Sequence, residues 1–365
     1  MRMNLDKFFC PKKKLFVRPL ASVVLGGRDV ERGRKAAEEV GAEFLRMDFK
    51  KDDELREALR GFDAVMHAAG PFYGQRPVVL RACIDLEVKV YVDLSDPVEF
   101  LEEALGLEAR KTTALVCGGA FPGMSNVLAV EAASRLDNVK DLNFSYFTSG
   151  LGGSGNLNLE ITNFGFGALT RRFRDGHRVE EEAFAGKDLG TVDFKGKLGE
   201  RAIWAWPFPE QWTVAEELGI SGTSVAAMGT APDIWNYLLR FLVAIVPRHW
   251  WSLPSFSKGM ALFSQPLVAI ADSFIPETHA MRIDVKSDTN DHVTVLQGHT
   301  SFRQCVGQSA AEFCLDLFDH PKPGIYLPEQ RYQDHQARHR IIQRLTSTPG
   351  TTLFDIHKID NTFRK

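Results

Sequence analysis

The sequence lacks cysteine pairs with the spacing of a metal site or a disulfide scaffold. Its five cysteines are an odd number and show no C-x-x-C pattern, which argues against a zinc knuckle or disulfide framework and favours a reducing compartment. We therefore expect a cytoplasmic protein. A plastid is the alternative if the source is a plant or alga, because the first 20 residues are basic and contain a single acid, Asp6.

Several catalytic motifs are also absent. The chain contains no G-x-S-x-G elbow, H-E-x-x-H pair, Walker loop or EF-hand loop, so we expect neither a serine hydrolase nor a metal site. An excess of charge of one sign is lacking too, since 44 Lys and Arg residues oppose 47 Asp and Glu residues. Without a strong field, we expect a small-molecule substrate and no nucleic-acid partner.

No apolar run reaches the roughly 18 residues that a transmembrane helix needs. The nearest candidate, Ile234–Pro247, is interrupted by Arg240 and ends at a proline. One interpretation is a buried or amphipathic helix. The other is a helix that contacts a membrane surface or another subunit, because the aromatic stretch His249–Trp251 follows it and interfaces favour such residues.

Strand and helix patterns alternate over residues 21–128. Val23–Leu25 is a short strand closed by two glycines, and Asp63–Phe72 and Thr113–Gly119 are apolar runs typical of buried parallel strands. Amphipathic helical patterns separate them. This alternation predicts an α/β fold with a Rossmann-type, doubly wound parallel sheet.

The pattern changes in the second half of the chain. Residues 129–300 contain longer strands separated by glycine-rich turns, which predicts an α+β second domain with a mainly antiparallel sheet. Domains that form such sheets often dimerise, so a homodimer is a further expectation. We expect residues 301–365, a helix and tail, to return to the first domain, and residues 1–20 to be an irregular basic segment.

A glycine-rich phosphate turn is missing before the first predicted strand. Dinucleotide-binding domains place G-x-G-x-x-G after their first strand, and a ribose-selecting side chain follows about 20 residues later at the end of the second strand. "VVLGGR" resembles that second-strand end, with Arg28 suited to a 2′-phosphate, but no glycine precedes Gly26. The first βα unit is therefore absent from this sequence as written, and the predicted sheet is N-terminally incomplete.

One match to the phosphate motif occurs elsewhere, in "GLGGSG" with Gly150, Gly152 and Gly155. It follows a predicted strand and precedes a predicted helix. Three interpretations stay open: a displaced phosphate loop, a glycine-rich loop facing the substrate cleft, or a plain connection. Asp175, about 20 residues further on, lies in a charged loop and not at a strand end, which weakens the first interpretation.

Taken together, the ordered segments "VVLGGRDVERG", "HAAGPF", "YVDLSD", "GGAFPGMSN" and "KPGIYLPEQ" resemble the saccharopine dehydrogenase-like oxidoreductases. The resemblance covers the chain from Ala21 to about Gln330. It implies a Rossmann domain joined to an α+β substrate and dimerisation domain, with NADP(H) between them. It also implies hydride transfer to or from a C–N or C–O carbon of a small molecule.

The resemblance also implies roles for individual residues. Arg28 would meet the 2′-phosphate beside Gly26 and Gly27, and Asp48 would lie by the adenine. The segment under the ribose and nicotinamide would be Ala68, Ala69, Gly70 and Pro71. Asp93 and Ser95 would line the cleft. The turn near the nicotinamide would contain Gly119, Pro122, Gly123 and Ser125.

The catalytic group is not identified by any motif. Tyr73, Asp93, Asp96 and His67 are candidates for the proton transfer that accompanies hydride delivery, because they cluster with Tyr91 near predicted strand ends. Each has an ordinary structural interpretation, such as a core histidine with a local hydrogen bond. Arg28 likewise has the alternative of a surface ion pair. Three arginines, Arg171, Arg172 and Arg282, are guesses for a substrate carboxylate.

Two functional hypotheses follow. In the first, the protein is an NADP-dependent oxidoreductase whose first unit was lost through a wrong gene start or an omitted exon. In the second, it is a non-catalytic binding or scaffold protein of the same fold that lost cofactor binding with its phosphate loop. For the polypeptide as written, we expect weak or no NADPH binding, because each missing charge-assisted contact contributes on the order of 1.5–3 kcal/mol.

Overall fold

The structure is a computed structural model that describes residues 22–150, 156–181 and 187–359. The chain forms two compact units. The first runs up to Met124 and includes Arg303–Pro349, and the second comprises Ser125–Phe302 and the chain from Gly350 onward. The predicted basic segment 1–20 lies outside the described residues.

The first unit begins with alternating strands and helices. In chain order these are β1 (Val24–Gly27), α1 (Val30–Val40), β2 (Glu43–Arg46), α2 (Asp52–Leu59), β3 (Ala64–His67), α3 (Val78–Asp85), β4 (Val90–Asp93), α4 (Val98–Leu105) and β5 (Thr113–Leu115). The predicted α/β architecture is confirmed for this part of the chain.

Longer strands follow. The elements are α5 (Met124–Ala133), β6 (Val139–Ser149), α6 (Asn156–Gly167), β7 (Thr170–Arg174), β8 (His177–Glu181), β9 (Asp188–Asp193), β10 (Glu200–Ala205), α7 (Glu210–Leu218), β11 (Ser224–Thr230), α8 (Asp233–Ile245), α9 (Arg248–Trp251), α10 (Pro254–Asp272), β12 (Thr278–Ser287) and β13 (His292–His299). The C-terminal part contains α11 (Phe302–Asp319), β14 (Gly324–Tyr326), α12 (Pro328–Arg331), α13 (His335–Thr346) and β15 (Thr351–Ile359).

Local sequence explains where α1 begins and ends. The carboxylate of Asp29 accepts a hydrogen bond from the backbone N–H of Arg32 at 3.1 Å, which satisfies one of the unpaired donors of the first turn. Gly41 ends the helix in the left-handed conformation, with φ 66°. Gly33 lets the helix approach β2 closely, since a Cβ there would lie 2.0 Å from the Phe44 ring.

The parallel strands of the first unit form two separate sheets. Among the described strands, β1 pairs with β2 alone, while β14, β5, β4 and β3 form a four-stranded sheet in that order. In the doubly wound order 3-2-1-4-5-6, β2 and β1 match positions 3 and 2, and β3, β4 and β5 match positions 4, 5 and 6. Position 1 falls between β1 and β3, and no strand of the described residues occupies it.

The edges of β1 and β3 border a common space. A small cavity is lined by Val24 and Gly26 of β1 and by Ala64 and Val65 of β3. The parallel arrangement therefore agrees with the sequence prediction, and among the described residues the unoccupied strand position lies at the centre of the sheet.

The C-terminal stretch divides between the two units. In the first, the buried carboxylate of Asp316 accepts hydrogen bonds from Tyr332 at 3.1 Å and from Arg340 at 2.7 Å, which fixes α11 against α12 and α13. In the second, β15 pairs with β13 in antiparallel register. The observed grouping thus differs from the expectation that 301–365 packs entirely on the first domain.

A large mixed sheet dominates the second unit. The main order among the described residues is β15-β13-β12-β6-β11-β10-β9, with β7 and β8 attached at β11. All pairs are antiparallel except β11 with β6, which run parallel. The predicted mainly antiparallel sheet is confirmed. None of the described helices is both long and apolar enough to cross a membrane.

Candidate cofactor site

The predicted cofactor residues of the first unit follow the carboxyl ends of its strands. Arg28 comes directly after β1, Asp48 lies two residues after β2, and Ala68–Pro71 follows β3. In open α/β sheets, ligands bind outside the carboxyl ends of the strands. The strand positions therefore suit these residues for contact with one ligand.

Arg28 is exposed and makes no ion pair or side-chain hydrogen bond with any described residue. The neighbouring acid, Asp29, is used instead by the first turn of α1, where it also meets the Arg32 guanidinium at 3.5 Å. The surface ion pair that competed with phosphate binding in the sequence analysis is therefore not observed. The planar guanidinium can donate two parallel hydrogen bonds to the oxygens of a phosphate.

Asp48 is partly committed to its own turn. One oxygen of its carboxylate accepts from the backbone N–H of Lys50 at 3.1 Å, and its backbone N–H donates to Glu54 at 3.3 Å. These bonds connect β2 to α2. The second carboxylate oxygen is available to a ligand at the partly buried surface of this turn.

The small-residue segment Ala68–Pro71 is partly exposed and is anchored at both ends. His67 before it and Phe72 after it are buried, and the Phe72 ring packs edge-on against Phe100 with centroids 5.2 Å apart. Because the segment carries only methyl groups and a proline ring, a flat ligand can approach its backbone closely. Its contact with the ribose and nicotinamide of a cofactor stays a prediction.

Two candidate proton-transfer residues, His67 and Asp93, are joined through Tyr91 in one buried chain of hydrogen bonds. The Tyr91 hydroxyl donates to the Asp93 carboxylate at 3.0 Å and lies 3.2 Å from Nδ1 of His67. Since Tyr91 donates to Asp93, Nδ1 of His67 must carry a proton and donate to the Tyr91 oxygen. Nε2 of His67 is then an acceptor, and no described residue donates a hydrogen bond to it.

Asp93 joins the end of β4 to neighbouring turns. Its second oxygen accepts from the Ser95 hydroxyl at 2.6 Å, the Ser95 backbone at 3.0 Å and the Cys117 backbone at 3.1 Å. Burial raises the pKa of Asp93 to about 6, although these bonds oppose the shift. Because Asp93 and Ser95 are fully buried, their geometry suits positioning better than direct contact with a substrate.

His67 is held neutral. Burial among the rings of Phe49, Phe72 and Tyr91 lowers the pKa of His67 to about 3. The imidazole therefore lacks, at neutral pH, the second proton that a general acid would donate.

Tyr73 and Asp96 form a second, less buried pair. Burial raises the pKa of Asp96 to about 7, and the nearby charge of Asp93 adds to the shift. Burial also raises the pKa of Tyr73 well above its usual value, with further contributions from Asp96 and Glu99. Both side chains are only partly covered, so they differ from the His67–Tyr91–Asp93 chain in being accessible.

The turn containing Gly119, Pro122 and Gly123 is buried and closes on itself. The Gly119 N–H donates to the Pro122 carbonyl at 3.0 Å. Gly123 has φ 137°, and a Cβ on it would lie 2.0 Å from the Gly119 oxygen. Glycine at 123 is thus required by the turn itself, while the predicted contact with a nicotinamide stays a prediction. Ser125 is buried and donates to Asn126 at 3.1 Å.

The architecture can now be compared with known proteins. The chain is similar to the apo saccharopine dehydrogenase (L-Glu forming) of Saccharomyces cerevisiae, with a TM-score of 0.63, 11% identity and coverage of 93% of this chain and 94% of that one. It is also similar to the homospermidine synthase of Legionella pneumophila solved with NAD, with a TM-score of 0.60, 12% identity and coverage of 93% and 85%. The fold is saccharopine dehydrogenase-like. Neither a protein-family model nor a curated protein sequence matches the chain.

Within this saccharopine dehydrogenase-like fold, the three arginines guessed for a substrate carboxylate are already engaged. Arg171 pairs with Glu180 at 2.6 Å and Arg172 with Glu181 at 2.5 Å. Arg282 binds the Asp284 carboxylate at 2.7 Å. Each guanidinium thus pairs with a carboxylate on its own or a neighbouring strand, and a contact with a substrate carboxylate stays a prediction.

The alternative phosphate loop is only partly visible. Gly150 ends β6 with φ 63°, whereas Gly152 and Gly155 lie outside the described residues. Asp175 occupies the tight turn between β7 and β8, also with positive φ. Among the described residues, no group of histidine, cysteine and carboxylate side chains could hold a metal ion.

Sequence reasoning missed a cavity of about 380 Å³ that lies wholly within the second unit. Its lining comes from α6, β10, β11, α8 and α10 and is mostly apolar, with Trp204, Trp206, Trp235 and Trp251 contributing large surfaces. The alternating tryptophans of "IWAWPF" were a signal for this wall, but alternation alone does not distinguish a cavity from a packed core.

Proposed function

We propose that this protein is a nicotinamide-dependent oxidoreductase that transfers a hydride to or from a C–N or C–O carbon of a small molecule. The observation that carries the proposal is the exposed Arg28 at the end of β1, which has no ion-pair partner among the described residues and lies in the same unit as the small-residue segment after β3. The shared fold with a homospermidine synthase solved with NAD supports it.

Arg28 favours NADP over NAD. A guanidinium at the end of this strand suits a 2′-phosphate, whereas an acid there would suit the free ribose hydroxyl. Gly26 and Gly27 would leave room for the adenosine, Asp48 would face the adenine, and Ala68–Pro71 would lie under the ribose and nicotinamide. When bound, the cofactor supplies the hydride chemistry.

Asp96 is our candidate for exchanging the proton. With a pKa of about 7, it exists in both protonation states near neutral pH, which is the condition for efficient acid–base catalysis. Tyr73 keeps its proton and can donate a hydrogen bond to the substrate. The buried chain of His67, Tyr91 and Asp93 positions the ends of β3 and β4.

The non-catalytic alternative is favoured by one observation, the break between β1 and β3 among the described residues. That position would carry the strand and phosphate turn whose N–H groups bind pyrophosphate. We therefore expect this polypeptide to bind NADPH with a dissociation constant weaker than about 1 μM. The homodimer and the cytoplasmic compartment also stay predictions.

The ratio of affinities tests the role of Arg28 even if both affinities are low. We expect NADPH to bind more tightly than NADH in calorimetric titrations, and Arg28→Ala to reduce that preference about tenfold or more, because a charge-assisted contact is lost. Arg34→Ala, an exposed arginine on α1, is the matched control and should keep the preference. Equal preference in the wild type and Arg28→Ala would reject the assignment.

A further inference from the structure

Helices α8 and α10 carry apolar stripes on their outward faces. Ile234 and Phe263 are 69% and 73% exposed, and Phe274, just beyond α10, is 83% exposed. The stripes repeat at helical spacing, and their exposed members are Ile234, Tyr237, Phe241 and Ile245 on the first, and Phe263, Leu267, Ile270 and Phe274 on the second. Most of the large apolar side chains exposed among the described residues lie in this region, which we call the α8–α10 face.

Acids are sparse on the α8–α10 face. Asp233 begins α8 and Asp272 ends α10, and no Asp or Glu occurs from residue 234 to residue 271. The same stretch contains Arg240, Arg248 and Lys258. Arg240 pairs with Asp188 at 3.1 Å, whereas Lys258 is exposed and has no ion pair among the described residues. An apolar surface that carries cations between these two ends is complementary to an apolar partner with anionic groups at its boundary.

Aromatic residues occupy the connection between the two helices. Trp250 in α9 is exposed, and its ring packs against those of His249 and Phe256, with centroid distances of 6.4 and 5.7 Å. Tryptophan next to basic side chains is typical of segments that lie at the headgroup level of a lipid layer.

The inner faces of the same helices line the cavity of the second unit. Leu239 and Leu242 of α8, and Val268 and Ala269 of α10, are among its lining residues. Thus both helices have an apolar side towards the cavity and an apolar side towards the exterior. A helix that is apolar on both sides is expected to be covered on both sides.

We propose that the α8–α10 face docks on an anionic lipid surface. The helices lie in the plane of the surface, the outward stripes enter the acyl boundary, and Lys258 and Trp250 sit at the headgroups. Docking of this kind would place the apolar cavity next to a source of apolar molecules. The proposal does not depend on cofactor binding by the first unit.

A second copy of the chain fits the α8–α10 face less well. A two-fold contact brings the same patch of each subunit together. Here it would bring together two cation-bearing stretches, with no carboxylate in residues 234–271 of either copy to pair them. Anionic headgroups provide that missing counter-charge.

Flotation of the full-length protein with vesicles tests the proposal. We expect recovery with phosphatidylcholine vesicles containing phosphatidylglycerol, and much less with phosphatidylcholine alone or at high salt. The double variant Phe263→Ser/Phe274→Ser should reduce the apparent affinity about tenfold or more, because two exposed rings no longer enter the lipid. Lys258→Glu should weaken binding selectively to the anionic vesicles.

Phe354→Ser is the matched control, since Phe354 is an exposed phenylalanine of β15 outside the α8–α10 face, and it should float like the wild type. Circular dichroism melting of each variant excludes unfolding as the cause. The proposal is overturned if the wild type fails to float with anionic vesicles, or if the double variant floats as well as Phe354→Ser. A dimer that dissociates in the double variant, without any vesicle binding, would assign the face to a second copy instead. NADPH titrations of the same variants report on the first unit separately.

Discussion

His67 at the end of β3 and Asp93 at the end of β4 belong to one buried hydrogen-bond network, and burial shifts their pKa values in opposite directions. Burial lowers the pKa of His67 to about 3 and raises the pKa of Asp93 to about 6. Both groups are therefore uncharged together between these two values, with the Tyr91 hydroxyl between them. The sequence predicted that these residues lie close together, because the carboxyl ends of parallel strands lie at the same edge of a sheet. It could not predict their pKa values, which depend on neighbours distant in sequence such as Phe49 and Cys117.

The pH dependence of stability tests the state of His67. A histidine whose folded-state pKa is depressed destabilises the fold below its unfolded value of 6.5, because the unfolded chain takes up the proton first, and this loss of stability grows as the pH falls towards 3. Asp93 acts in the opposite direction, because its folded-state pKa is raised.

We expect His67→Gln, which can still donate to Tyr91, to remove only the histidine term. As the pH falls from 6 to 4, the wild type should lose stability that the variant keeps. The difference between their free energies of unfolding should therefore grow by about 1.4 kcal/mol for each pH unit, in favour of the variant. Urea titrations followed by circular dichroism measure this difference. Parallel pH dependences of the two proteins would show that His67 is not buried and neutral.

At the scale of secondary-structure elements, the sequence predicted α1 well. Its amphipathic pattern is one of those that separate the predicted strands, and the structure adds the caps at Asp29 and Gly41. It could not predict why glycine stands at position 33, since the neighbour that requires it, Phe44, belongs to β2. For α8, the periodicity indicated an amphipathic helix, but a period does not show which side the rest of the protein covers.

A double-mutant cycle tests the contact between α1 and β2. Gly33→Ala adds a good helix former, worth about 1 kcal/mol, but its Cβ would overlap the Phe44 ring, and overpacking costs about 1–3 kcal/mol. We expect a net loss of stability in the wild-type background and a gain in a Phe44→Ala background. The free energies of unfolding of the four proteins measure the coupling. A change of the same sign in both backgrounds would exclude this packing explanation.

At the scale of the whole molecule, the two units differ in how much of their architecture local sequence patterns determine. The first repeats βα units, so its architecture is readable from short windows of sequence. The second assembles strands that are far apart in the chain, as β6 with β12 and β13 with β15, and local patterns do not determine such pairings. For the same reason, β15 was expected on the first domain. The missing position between β1 and β3 could be anticipated, because the absent glycine turn and the strand order point to one place.

Hydrogen–deuterium exchange with and without millimolar NADPH tests the proposed cofactor site most directly, because millimolar ligand occupies even a weak site. Our account predicts protection of peptides that cover Gly26–Arg28 and Ala68–Tyr73, and no change in those that cover α8 and α10. An exchange pattern unaltered by NADPH in the first unit, or protection confined to the second unit, would contradict it.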